Sequence, residues 1–149
     1  MTLANSFHIC RIALQLNELG LIRDDARAEG FQFIERLFRD WETGQNRFAD
    51  EGEMLVGAFN GEKAIAICGI NRDPYLDDRK VGRLRHLYVL REHRRRGIAY
   101  TLVVHLLKEA KKAFERVRVR TDNSEADKLY LKCAFLRSDS PTATHEQIF

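Results

Sequence analysis

The chain has few cysteines, few prolines and no long apolar run. Cys10, Cys68 and Cys133 are odd in number, far apart and without a C-x-x-C pair, so they suggest neither a disulfide framework nor a zinc site. They read as reduced core thiols. The two prolines, Pro74 and Pro141, both fall in segments that read as loops. Near the N-terminus the apolar stretch is short and interrupted by His8 and Arg11, and no run approaches the length needed to span a bilayer. The expectation is a soluble cytoplasmic protein with no membrane partner. A large charge of one sign is missing too: 25 Lys and Arg against 22 Asp and Glu leave +3, too little by itself to imply nucleic-acid binding. His8, His93, His105 and His145 show no metal-ligand spacing, and no repeat or low-complexity tract is present.

What remains is an ordinary globular composition, 44% apolar and 32% charged over 149 residues, which fits one domain, 1–149, around a single core. Phe7 to Leu14 reads as a strand. The stretch from about Asp24 to Trp41 reads as helical, with Ile34, Leu37, Phe38 and Trp41 on one face and Asp24 and Asp25 suited to its start. Strands follow near Glu53 to Phe59 and Lys63 to Ile70, separated by Asn60-Gly61, a strong two-residue hairpin signal. A polar loop, Asn71 to Val81, leads into a strand over Leu84 to Leu90. The period then changes: Ile98, Leu102, Leu106, Ala110 and Phe114 recur four apart, with Val103, Leu107 and Ala113 widening the stripe, which is a buried helix face. Arg116 to Thr121 alternates valine with arginine as a strand, a short helix covers about Ser124 to Cys133, and a terminal strand or two completes the chain. The sum is mixed α/β with a largely antiparallel sheet.

The junction before the long helix holds most of the chemistry. Arg94, Arg95, Arg96, Gly97, Ile98 and Ala99 open that helix directly after an apolar strand. Backbone N–H groups in a first helical turn lack intrahelical partners, and the helix dipole adds partial positive charge there. Phosphate oxygens suit both. Gly97 has no Cβ, Ala99 is small, and arginines can add forked bonds, so a phosphorylated ligand fits. Taken alone, the same run also fits a solvated basic loop.

The run LYVLREHRRRGIA followed by RVRVRTDNSEADKLYLKCAF resembles the GNAT superfamily of N-acetyltransferases, over roughly residues 53 to 137. In that family an Arg/Gln-x-x-Gly-x-Gly/Ala signature after the fourth strand cradles the pyrophosphate of acetyl-CoA. Arg94, Gly97 and Ala99 stand at its three defined positions. A strand ending at Thr121 is followed by Asn123, Ala126, Tyr130 and Phe135, the spacing at which family members place a CoA-contacting asparagine and a tyrosine near the thiol. The resemblance implies a single-domain GNAT fold, a mixed and mostly antiparallel sheet with splayed central strands flanked by helices. It implies acetyl-CoA as cosubstrate, with its pantetheine arm bonded like an added strand to the backbone of Leu87, Tyr88 and Val89. The Val89 N–H would polarise the thioester carbonyl. Two positions depart from the family. Ala134 stands where a glycine is usual, and Gly82-Arg83-Leu84-Arg85-His86 lacks the acidic residue that many members carry as general base.

The implied reaction is direct acetyl transfer, in a ternary complex, to a primary amine of a small molecule or peptide, with no metal. Tyr130 is the candidate acid, since a phenol of pKa about 10 can protonate a thiolate whose conjugate acid lies near about 8.5. The alternative is a tyrosine that only packs beside Leu129 and Phe135. An alkyl ammonium of pKa about 10.4 is neutral in about one molecule in 2,500 at pH 7, so assistance by a base is expected. His86 is the candidate, although a half-buried strand histidine fits the same position. Glu53 and Asp73 could also line the acceptor side. The family's acceptor regions correspond to the first helical stretch, with Glu35, Arg39 and Trp41, and to the loop Asn71 to Tyr75. Cys133 could form an acetyl-enzyme, but packing on the short helix explains it more simply. A non-catalytic acyl-CoA-binding or regulatory module is the alternative from another class. Nucleic-acid binding through Arg91 to Arg96 with Arg116, Arg118 and Arg120 lacks an accompanying signature, so no nucleic-acid partner is expected. A homodimer paired through sheet edges is possible, and the terminal ATHEQIF could supply such a strand.

Overall fold

The hairpin signal Asn60-Gly61 forms a hairpin one residue later than expected. In the computed structural model, which describes residues 6–12 and 19–149, β2 (Met54–Asn60) and β3 (Lys63–Arg72) pair antiparallel with Asn60 opposite Lys63, so Gly61 and Glu62 form the loop. Gly61 takes the first loop position at φ +64, where a primed turn needs a left-handed residue. β1 (His8–Arg11) adds antiparallel to β2, and Ala13 and Leu14 of the expected first strand lie outside the described residues. On the other side β4 (Val81–Val89) pairs antiparallel with β3, and β5 (Arg116–Val119) pairs parallel with β4. β7 (His145–Ile148) then sits between β5 and β6 (Leu136–Arg137), antiparallel to both. The seven-stranded sheet, in the order β1-β2-β3-β4-β5-β7-β6, is therefore mixed and mostly antiparallel. ATHEQIF is internal in this sheet, hydrogen-bonded on both sides, which leaves β6 as the edge and removes the expected dimer strand.

The single helical stretch read over Asp24 to Trp41 is two helices, α1 (Gly20–Ala28) and α2 (Phe33–Thr43). Gly30 causes the break. At φ +82 it accepts the left-handed conformation, its N–H bonds Arg27 O and the Phe31 N–H bonds Ala26 O, the pair of bonds that satisfies a helix C-terminus. Asp25 therefore lies inside α1 rather than at a helix start. Arg23 and Arg27 bond Glu35 at 2.7–2.9 Å and tie the two helices together.

The helices cover opposite faces of the sheet. A Cβ at Gly82 would strike Phe114, just beyond α3 (Ile98–Ala110), which places Gly82 and Leu84 on the α3 face of β4. By strand alternation Arg83 and Arg85 face the other way, toward α2, where Asp40 is an electrostatic neighbour of Arg85. The core runs through both layers, with Ile65, Ile67 and Ile70 of β3 sealed between Ile22, Ile34 and Leu37 of α1 and α2 and Leu102 and Leu106 of α3. Cys68 and Cys133 are buried as expected; Cys10 is exposed, because β1 is an edge strand.

Two irregularities in β4 prepare the site. Its pairing with β5 ends at Arg83–Arg118, and from Leu84 onward the two strands part. Its register with β3 shifts between Ile67 and Gly69, so His86 and Leu87 together oppose Cys68 in a bulge, with His86 at φ +59.

Candidate active site

A short 3₁₀ turn, Arg91–His93, connects β4 to the helix junction, where Arg95 at φ +66 and Gly97 at φ +77 alternate with extended or helical neighbours. Such alternation turns successive N–H groups toward one concavity. No side chain caps α3, and its first internal bond runs from Thr101 N to Gly97 O at 3.0 Å. The amides of Ile98, Ala99 and Tyr100 therefore point off the helix end. A Cβ built on Gly97 would meet nothing within 4 Å, so the space in front of these amides is open. Ile98 anchors the turn in the core, Ala99 is half-buried, and Arg95 and Arg96 are exposed.

Arg94 does something the sequence did not disclose. Its Nε donates to Val89 O at 3.0 Å, its guanidinium pairs with Glu29, the residue that ends α1 as its C-cap, and lies 5.2 Å from the Tyr88 ring centre. Arg91 likewise pairs with Asp25 at 3.1 Å, and the Tyr88 hydroxyl donates to Asp25 (2.7 Å) and Glu29 (2.5 Å). Arg94 is a brace between β4 and the end of α1. Its guanidinium holds the Glu29 carboxyl below the usual range, while burial and the two carboxylates push the Tyr88 phenol up. Tyr88 thus turns its side chain toward α1, and only its backbone can serve a ligand.

The strand ladder fixes which backbone groups face the gap. Leu90 N bonds Ile65 O at 2.9 Å, so the neighbouring pair Ala66–Val89 is of the non-hydrogen-bonded kind. The Val89 N–H and C=O therefore point away from β3, into the space where β4 and β5 part. The Arg94 bond to Val89 O agrees with that direction. Leu87, half-buried, is the second residue of the bulge.

Tyr130 sits on α4 (Ser124–Lys132), packed edge-on against Phe135 at 5.5 Å and tilted on His145 at 5.6 Å. Burial and the neighbouring Cys68 and Cys133 thiols push its phenol up. Cys68, an electrostatic neighbour of this phenol, stands opposite the β4 bulge. Its hydroxyl has no hydrogen-bond partner among the described residues. Asn123 caps α4, its Oδ1 accepting from Glu125 N (2.9 Å) and Ala126 N (3.1 Å), so only its Nδ2 remains for a ligand. Cys133 ends the same helix with its thiol pushed up to about 11 by burial, which leaves almost no thiolate for an acetyl-enzyme.

The expected bases fare differently. His86 is buried edge-on to Phe48 at 6.0 Å, with neither ring nitrogen in a well-formed hydrogen bond. Burial and the adjacent Arg85 lower it to about 3, so the near-neutral pKa assumed from the sequence does not hold in this bulge. Glu53 is spent on Arg72 N (2.8 Å) and Asp50 N (3.2 Å). Asp73, fully buried, takes Arg83 at 3.2 Å and Arg118 at 3.0 Å. Hydrogen bonds from Arg23 and Arg27 of α1 lower the Glu35 carboxyl to about 2. Arg118, sealed beneath Asp73, and Arg116, paired with Glu146, cannot join Arg91 to Arg96 in one basic surface.

A cleft of about 470 Å³ opens on the α2 face, bordered by Arg39, Asp40, Asn46, Asn71, Pro74 and Arg85. Arg39 and the Asn71–Pro74 segment were expected on the acceptor side; Asp40, Asn46 and Arg85 were not. Arg85 was visible in the sequence only as one member of the stretch Gly82 to His86, which lacks the acid that many family members carry. Among the described residues no helix is long and apolar enough to cross a membrane, and no cluster of three or more His, Cys, Asp or Glu could hold a metal.

Residues 19–135 match the model of the acetyltransferase (GNAT) family. An acetyltransferase structure from Exiguobacterium sp. 255-15 superposes with TM-score 0.86 at 24% identity, over 96% of this chain and 93% of that one. The paia N-acetyltransferase from Thermoplasma acidophilum, in complex with coenzyme A, superposes with TM-score 0.70 at 19% identity, covering 97% and 99% of the two chains. A ribosomal-protein-alanine N-acetyltransferase from Brucella melitensis gives TM-score 0.72 at 16% identity, covering 95% and 99%. A search of curated protein sequences finds no match.

Proposed function

Because the chain belongs to the acetyltransferase (GNAT) family, whose cosubstrate is acetyl-CoA, we propose that it moves the acetyl group directly to a primary amine of a small molecule or peptide in a ternary complex. One observation supports this reading above the others. The uncapped start of α3, with left-handed Gly97 and open space at its Cβ, stands at the end of the strand that parts from β5. These residues fit the cosubstrate. Amides from Gly97 to Tyr100, with Arg95 and Arg96, would hold the pyrophosphate, and Asn123 Nδ2 is free to bond the arm.

Acetyl-CoA supplies a thioester. The residues of the chain do the rest. The Val89 N–H, facing the gap, donates to the thioester oxygen as negative charge grows on it. The amine nitrogen bonds to the acetyl carbon, the carbon–sulfur bond breaks with its electron pair leaving on sulfur, and Tyr130 donates a proton to that thiolate. Burial pushes the phenol up, so the transfer to a thiolate whose conjugate acid lies near about 8.5 runs uphill, and the proton that the newly acetylated nitrogen sheds returns the phenolate to phenol. With His86 lowered and Glu53 and Asp73 engaged, the ammonium proton leaves through water in the open cleft, where Asp40 is the nearest lining carboxylate.

Calorimetry with acetyl-CoA, followed by a CoA-release assay across primary amines, tests the proposal. Micromolar binding with amine-dependent thiol release is expected. Equal binding of acetyl-CoA and free CoA with no release above hydrolysis would leave a non-catalytic acyl-CoA-binding module.

A further inference from the structure

We infer that the cleft under α2 is a subsite for a carboxylate on the acceptor, with Arg85 as its main contact, so that the amine substrate is an amino acid. This deepens, and rests on, the transferase reading.

Three arginines lie close together beneath this face and only one lacks an anion. Arg83 and Arg118 share Asp73. Arg85 leaves the same face of β4 two residues after Arg83, is half-buried, and has no carboxylate within 4.0 Å and no hydrogen bond among the described residues. A partly desolvated guanidinium without a partner is costly, and proteins seldom keep one without a ligand for it. Burial weakens its hold on the proton most, the like charges of Arg83 and Arg36 add to that, and Asp40 opposes it with a pull larger than either arginine's push.

The second observation is independent of Arg85. Asn46 Oδ1 accepts from Phe48 N at 3.0 Å, which fixes the amide's orientation and leaves Nδ2 buried with nothing to donate to. Asn71 Oδ1, across the cleft, is buried with no donor. Unpaired buried polar atoms are rare, and each calls for a partner. Arg85 and Asn46 Nδ2 form a donor set that suits a carboxylate; Asn71 Oδ1 and Asp40 suit an ammonium or amide N–H. Two cations, Arg39 and Arg85, outweigh the single carboxylate of Asp40 on the lining, which disfavours a purely cationic acceptor. The cleft lies on the face opposite α3, so donor and acceptor would meet at the parted strands from opposite sides.

The test compares N-acetylglycine with N-methylacetamide, its counterpart lacking only the carboxylate, by calorimetric titration of the CoA-saturated protein. Wild type is expected to bind N-acetylglycine at least about tenfold more tightly, and Arg85→Gln to erase the difference while keeping its affinity for acetyl-CoA. Asn46→Asp, which preserves the bond from Phe48 N but turns a donor into a negative charge, should erase it too. Equal binding of the two probes by wild type, or a preference that survives in both variants, would overturn the inference alone. Failure of wild type to bind acetyl-CoA would remove the transferase reading and this inference with it.

Discussion

The proposed donor and acceptor sides of the site are built from different material. The donor side is main chain: the Val89 amide, the left-handed Arg95 and Gly97, and the first amides of α3, all within one run of residues. The acceptor side is side chain, gathered from α2, the turn after it, the end of β3 and the middle of β4. Main-chain recognition survives many substitutions, because any residue supplies an amide. A side-chain pocket changes its ligand with a single substitution. One side can stay fixed while the other is respecified.

That contrast can be broken first on the acceptor side. Asp73→Ala leaves Arg83 and Arg118 buried without a counter-charge beneath the cleft, and should cost about 3–5 kcal/mol in urea unfolding. On the donor side, Gly97→Glu puts bulk and negative charge into the open space at φ +77 and should weaken acetyl-CoA binding by at least about 100-fold, about 3 kcal/mol. Gly97→Ala serves as its control, since it keeps the backbone strain without the charge. Where the two sides meet, Tyr130→Phe should lower kcat by about 100-fold with acetyl-CoA affinity nearly intact. A large loss of affinity with normal turnover would sink the acid role.

Smaller effects sharpen the contrast. His86 has its pKa lowered in the folded state, so the unfolded chain binds more protons between about pH 6.5 and 3. Its contribution is complete above about pH 6.5 and is lost on acidification, at no more than about 1.4 kcal/mol per pH unit. Urea unfolding of wild type and of His86→Asn, which tolerates positive φ but does not titrate, measured between about pH 6.5 and 3, should show that slope shrinking in the variant. Ala134→Gly is the mildest. Ala134 stands at φ +71, with its N–H on Leu131 O and the Phe135 N–H on Tyr130 O, a helix stop that prefers glycine. The substitution should raise stability by up to about 1 kcal/mol in thermal unfolding.

The same division decides what could be read from the sequence. The β4–α3 junction was legible because glycine, arginines and a change of period coincide in a few residues. The short helix α4 was legible too, although Asn123 was read there as a CoA contact and not as the cap that it is. The helix break was missed although Gly30 signals it, because the apolar spacing of Ile34, Leu37, Phe38 and Trp41 continues past it as one face. The bulge at His86 carries no local signature at all, and without it the histidine looks like a serviceable base. Asp25 and Glu29 gave no sign of their partners, which lie more than sixty residues away in Arg91 and Arg94. The pairing of Arg83 and Arg118 with one aspartate, and the isolation of Arg85, are likewise facts of three dimensions.

The brace from α1 has a thermodynamic consequence. A loop that must freeze around its ligand gives up conformational freedom on binding, about 1–2 kcal/mol for each residue fixed. Here Asp25 and Glu29 grip Arg91, Arg94 and Tyr88 before any ligand arrives. The ordering cost is met during folding, and acetyl-CoA should bind with little opposing entropy.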